Sequence, residues 1–132
     1  MDFDLNMPPY TFKKTLSASD VGSQSRLMLQ RSDAENHIVS HLSKDNKQAI
    51  EAGHGVTIKV YDLSTDTEHD FVLKRMVYTT RSYVLNGGWG KKFVESKGLK
   101  EGQTIGFFWD SKDSKLNMYL LPTPPAAQNN PN

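Results

Sequence analysis

Any chemistry this chain performs must come from a short list of side chains. His37 and His41 stand at i and i+4, a spacing that can hold a metal on one face of a helix. Ile-Val-Ser lies between them, so the His-Glu-x-x-His arrangement of a metalloprotease is missing. No cysteine is available to complete a site, and no metal is expected. Gly87, Gly88 and Gly90 lie where a phosphate-cradling loop would sit, just ahead of Lys91 and Lys92. Their spacing fits neither a P-loop nor a dinucleotide fingerprint. They read as a turn that brings Trp89 into the core, with Lys91 and Lys92 still able to touch a phosphate. Serine, histidine and aspartate occur without a Gly-x-Ser-x-Gly elbow, and no paired carboxylates stand on strand ends. No enzyme activity, catalytic residue, small-molecule substrate or cofactor is therefore expected. Trp89, Phe107, Phe108 and Trp109 could stack on bases, but their helical and strand spacing points to core packing.

Two loops hold the remaining polar chemistry. Residues 17–26 are rich in Ser and Gln and end in Ser23, Gln24, Ser25 and Arg26. Residues 78–82 read Tyr78-Thr79-Thr80-Arg81-Ser82. Hydroxyls, an amide and a guanidinium are the groups that contact phosphates and base edges. The charge pattern agrees. The formal net charge is only +1, yet residues 12–31 carry Lys13, Lys14, Arg26 and Arg31 against Asp20 alone, and residues 71–100 carry seven basic side chains against Glu95. An acidic stretch, with eight carboxylates against three lysines over residues 32–70, separates them. A fold that joins the basic segments gives one positive face able to steer a polyanion.

The elements that would position these loops follow from periodicity. At 132 residues, with 36% hydrophobic and 23% charged side chains, the chain fits one domain. It has no run of about 18 apolar residues, so no membrane span is expected. Met1 to Thr11 lacks both a basic region and an apolar stretch, so no signal peptide is expected. Residues 1–9 read as a flexible leader, residues 10–121 as the folded domain, and residues 122–132, rich in Pro and Asn, as a disordered tail. Strands are predicted over 10–16, 26–30, 56–61, 68–77, 82–85, 103–110 and 116–121, where apolar and polar residues alternate. Ser32-x-x-Glu35 predicts a capping box opening a helix, with Ala34, Ile38 and Leu42 as its buried stripe. A further helical turn over 46–52 is stopped by Gly53 and Gly55. Trp89 to Lys97 reads as a short helix ending at Gly98 with Leu99 behind it, a Schellman pattern. About seven short strands with two short helices suggest a barrel or sandwich plugged at its ends.

Several segments resemble one family in the right order. Phe12-Lys13-Lys14-Thr15-Leu16-Ser17-Ala18-Ser19-Asp20-Val21, Arg26-Leu27-Met28-Leu29 and Ala34-Glu35-Asn36-His37 resemble the opening of the plant B3 DNA-binding domain. Ser82-Tyr83-Val84-Leu85, Gly88-Trp89, Phe93-Val94 and Leu99-Lys100-Glu101-Gly102 resemble its second half. The resemblance spans about Phe12 to Leu121 and is closest to a divergent, poorly characterised branch.

It implies a mainly β, seven-stranded open pseudo-barrel with two short helices at its ends. It also implies a nuclear transcriptional regulator whose partner is double-stranded DNA, held by two arms in the major groove. The arms map to Gly22–Arg26 and Tyr78–Ser82, the loops already singled out. Arg81 is then the leading base contact and Arg26 the second. Ser23, Gln24, Ser25, Tyr78, Thr79, Thr80 and Ser82 are secondary contacts, and Lys13, Lys14, Lys91 and Lys92 supply phosphate charge. Compared with well-studied members, Ser23 stands for a frequent Lys, Ser25 for Asn or Gly, Gln30 for Pro and Gln103 for Asp. Val77-Tyr78 stands for Trp-Asn, and Gly90-Lys91-Lys92 makes the Trp-to-Phe link one residue longer. The alternative is a protein-interaction module on the same fold, using an exposed barrel edge and binding DNA weakly. The target sequence, the sign of regulation, the oligomeric state and any protein partner are not written in these residues.

Overall fold

Strict alternation decides where the backbone runs flat. Val56, Ile58 and Val60 are buried while Thr57 and Lys59 are exposed, so one face of that strand meets a core and the other meets water. The computed structural model describes residues 9–76 and 82–122. Residues 1–8, 77–81 and 123–132 lie outside the described residues, and with them most of the expected leader and tail and the centre of the second loop.

Seven strands form one sheet: β1 (Phe12–Thr15), β2 (Leu27–Leu29), β3 (Val56–Asp62), β4 (Thr67–Arg75), β5 (Tyr83–Asn86), β6 (Thr104–Asp110) and β7 (Lys115–Leu120). Their spatial order is β1-β6-β7-β3-β4-β5-β2. All neighbours are antiparallel except β3 and β7, which run parallel from Lys59↔Lys115 to Asp62↔Met118. The sheet curls into a nearly closed, mostly β pseudo-barrel. Consecutive strands β1 and β2 end up at opposite edges of the sheet, and the loop between them crosses the seam. Phe12, Leu16, Leu27, Leu29, Ile58, Phe71, Leu85, Ile105 and Phe107 fill the interior. Phe71, Trp89 and Phe93 meet edge to face there, with ring centroids 5.0 to 6.2 Å apart.

The helices depart from expectation in instructive ways. Helix α1 spans Arg31–His37 with Gln30, not Ser32, at its N-cap, and no side chain caps it. The capping box fails because the N-cap falls two residues earlier. Ser32 is thus already inside, and the Glu35 carboxylate turns to Arg31 and Tyr83 instead. Gln30 has φ −65°, the angle proline would fix, so this departure from the family keeps its geometry. The helix breaks at Ile38 (φ −125°, ψ −61°) and resumes as a 3₁₀ turn over Val39–His41, so Leu42 lies beyond the helix it was expected to extend. Helix α2 (Lys44–Glu51) opens on Ser43, whose Oγ accepts the Asn46 N–H at 3.2 Å. It closes at Gly53 (φ +90°), where Gly53 and His54 donate to Ile50 and Ala49 carbonyls in a full Schellman ending.

The stretch after Trp89 is not an ordinary α-helix. Gly90–Glu95 is π-helical, and the wider turn takes up the extra residue between Trp89 and Phe93 while both rings stay fully buried. The expected ending is present: Gly98 sits at φ +66°, and the Leu99 N–H donates to Val94 O at 3.0 Å.

Candidate nucleic-acid interface

The first loop is built around Asp20, a residue that sequence reasoning passed over. Its side chain is buried, and its carboxylate accepts three donors. The Ser17 N–H reaches Oδ2 at 2.8 Å, the Met28 N–H reaches Oδ1 at 3.0 Å, and Lys14 Nζ lies 3.3 Å from Oδ2. One side chain therefore ties the end of β1 to the start of β2 across the seam. The Asp20 carbonyl accepts the buried Trp89 indole N–H at 2.8 Å. A signal was available: Asp20 is the lone acid of the first basic segment, and a lone acid among four cations is a natural internal counter-charge.

The tip of the loop is held from the other side. The Gly90 N–H donates to Ser25 Oγ at 2.7 Å. Ser25 has φ +56°, a left-handed backbone that glycine and asparagine adopt most readily, which accounts for the residues that family members carry there. A Cβ at Gly90 would lie 2.8 Å from Ser25 Oγ, so only glycine permits this approach. Ser23 and Gln24 are exposed, and Ser25 and Arg26 are half-buried. Arg26 has no ion pair or hydrogen-bond partner among the described residues.

The second loop hangs from a closed stem. The Met76 N–H donates to Ser82 O at 2.7 Å, immediately beyond the Arg75↔Tyr83 pair of β4 and β5. Tyr78, Thr79, Thr80 and Arg81 lie outside the described residues. Strands β2 and β5 run antiparallel, with Leu27 opposite Leu85 and Leu29 opposite Tyr83. The first loop enters this ladder at the Leu85 end and the second at the Tyr83 end. Leu27 and Tyr83, where the loops join, are diagonal neighbours in this ladder, roughly 7–8 Å apart and so within the roughly 12 Å width of a major groove.

The four lysines divide. Lys13 is exposed on β1 and Lys91 is exposed on the π-helical segment, and neither has a partner among the described residues. Lys14 is drawn in to Asp20. Lys92 donates to Asp70 O at 3.1 Å and lies 5.3 Å from the centre of the Phe71 ring. Lys97, another cation of the second basic segment, is held by the buried Asp62 at 2.6 Å. The seam itself forms a cleft of about 320 Å³ lined by Phe12, Lys13, Lys14, Leu29 and Asp33.

A second polar group supports the stem of the other loop. The buried Tyr83 hydroxyl donates to Glu35 Oε2 at 3.0 Å, and Glu35 also takes Arg31 Nε at 3.3 Å. Burial first, then the hydrogen bond and charge of Glu35, push the phenol from 10.0 up to about 12 against the opposing Arg75 and Arg31 charges. Arg75 donates to Glu51 O at 3.1 Å and so caps the end of α2. His37 stacks on Phe12 and His41 on Trp109, so the two histidines face different rings. Trp89 and Phe107 are core residues as expected, while Phe108 and Trp109 are half-buried.

Comparison with known proteins agrees with this architecture. Residues 10–121 match the family model described as B3 domain-containing protein At5g26805, C-terminal domain. The B3 domain-containing protein At1g78640 of Arabidopsis thaliana is 55% identical over 108 residues, covering 80% of this chain and 22% of that protein. Arabidopsis At4g02870, also a B3 domain-containing protein, is 41% identical over 115 residues, 86% of this chain and 35% of its own length. The chain thus spans between a fifth and about a third of these relatives. Among solved structures, the Arabidopsis FUS3–DNA complex superposes with a TM-score of 0.68 at 27% identity, covering 87% of this chain and 99% of that one. The Arabidopsis transcription factor LEC2–DNA complex gives 0.65 at 24% identity, over 85% and 92%.

Proposed function

The chain belongs to the B3 domain family, and from that premise we propose that it binds double-stranded DNA through two arms in the major groove, as a nuclear transcriptional regulator. The arms are residues 22–26 and 78–82. The observation that carries this reading is the β2–β5 ladder, which holds the stems of two polar, cation-bearing loops closer together than the width of a major groove. The likeness to a FUS3–DNA complex at 27% identity supports it. Arg81 reads guanine by a bidentate hydrogen bond, with Arg26 beside it or on a phosphate. Gln24, Ser23, Tyr78, Thr79, Thr80 and Ser82 make the remaining polar contacts, and Lys13 and Lys91 meet the backbone. The activity is non-catalytic.

Selection from a random duplex library, with wild type and Arg81→Ala side by side, tests the reading. Wild type is expected to enrich a motif, and Arg81→Ala to bind it about 1–3 kcal/mol more weakly with relaxed preference at one base pair. Failure of wild type to enrich any sequence, or equal affinity of both proteins with the fold intact by circular dichroism, would remove the proposal. One feature favours the protein-interaction alternative: β1 and β2 each pair on one side only and leave a basic seam open between them. Capture of a partner by a chain that retains no duplex affinity would select that reading.

A further inference from the structure

We propose that Ser25 is a positioning residue: its bond to Gly90 locks the first arm onto the π-helical segment, so that the arm and Lys91 meet DNA as one preformed unit. The inference rests on the DNA-binding reading above. Four observations carry it. The arm is tied to this segment twice, by Gly90 N–H to Ser25 Oγ at 2.7 Å and by the Trp89 indole to Asp20 O at 2.8 Å. The two links come from the adjacent residues Trp89 and Gly90, and they hold the loop on either side of residues 21–24. Ser25 holds an unfavourable left-handed backbone to make its link, and the absence of a Cβ at Gly90 is what permits the approach. Lys91 is the next residue after the link, about 3.8 Å away along the backbone. It is exposed and has no partner among the described residues, whereas Lys92 points back to Asp70 and Phe71.

The π turn supplies the reason for this division. Trp89, Gly90 and Phe93 are buried, so between the two rings only Lys91 and Lys92 reach the surface. With Lys92 held by Asp70, Lys91 is the cation left beside the clamped arm. A loop ordered before binding loses less conformational entropy on the duplex, so the clamp raises affinity without touching a base.

Fluorescence anisotropy with a labelled duplex, run against salt concentration, tests the proposal on wild type, Ser25→Gly, Lys91→Ala, the double variant and Gly90→Ala. Ser25→Gly removes the acceptor while suiting the left-handed backbone, so folding is retained. Each single variant is expected to weaken binding about threefold to tenfold and to lower the salt slope by about 1. The double variant should be little worse than either single one, because each change already breaks up the unit that the arm and Lys91 form on the duplex. Gly90→Ala should reproduce Ser25→Gly from the opposite side. In the free protein, hydrogen exchange at the Gly90 amide should speed up in Ser25→Gly and stay unchanged in Lys91→Ala. Additive losses, an unchanged salt slope in Ser25→Gly, or an unchanged Gly90 exchange rate would each overturn the positioning role and leave DNA binding standing. A wild-type protein that binds no duplex would instead overturn the DNA reading and this inference with it.

Discussion

Among the described residues of the two loops, Asp20 gathers the most of the candidate interface into one side chain. Two backbone donors and Lys14 converge on its buried carboxylate. Asp20→Ala leaves two part-buried N–H groups and Lys14 without their acceptor, and should lower the unfolding free energy by about 2–4 kcal/mol in a urea titration. A loss under ~1 kcal/mol would mean that the seam is held by something else. Tyr83 offers a test by pH. Its phenol is raised to about 12 in the fold against 10.0 when free, so the folded state keeps its proton longer. The associated stability is fully present below pH 10 and is lost as pH rises from 10 toward 12. Between pH 9 and 11 wild type should lose about 1 kcal/mol more than Tyr83→Phe. Parallel losses in the two proteins would contradict the shift.

Elements were unevenly legible, and the reasons are physical. Alternation in β3 and the glycine stops at Gly53 and Gly98 announce themselves because each depends only on neighbours a few residues away. The capping box at Ser32 misled because Glu35 had a stronger claim elsewhere: a buried hydroxyl 48 positions along the chain. The π-helical turn could not be read from periodicity, since Trp89 and Phe93 at i and i+4 fit an α-helix equally well. Only the longer link between them hinted at it. For the candidate interface, composition singled out both loops but not what holds the first of them. Ser, Gln and Arg are visible as contact chemistry in one dimension, whereas the Ser25–Gly90 contact joins residues 65 apart. Lys14 and Lys92 looked equal to Lys13 and Lys91 for the same reason, because their internal partners are remote in sequence.

At the scale of the whole molecule, the net charge of +1 is a poor guide and its distribution a better one. Lys14, Lys92, Lys97 and Arg75 all have internal partners, so the working surface is less basic than the segment counts suggest. If about four to six phosphates are neutralised, log K should fall against log salt with a slope of about −4 to −5. A flat dependence in an anisotropy titration would argue against a duplex partner altogether.

The placement of β1 and β2 at opposite edges also governs how the domain comes together in time. Phe12 pairs with Phe107, so the first strand has no partner until almost the entire domain has been synthesised. Strands β3 and β4 pair through a short local turn and can zip early, and β5 can follow them. The strand that anchors one side of the first arm must wait for β6, and such late, long-range pairing is slow because the loop must close before any contact rewards it. The first loop is therefore the last part of the surface to take shape, and if it is the proposed arm, a nascent chain should fail to hold a duplex until β6 emerges.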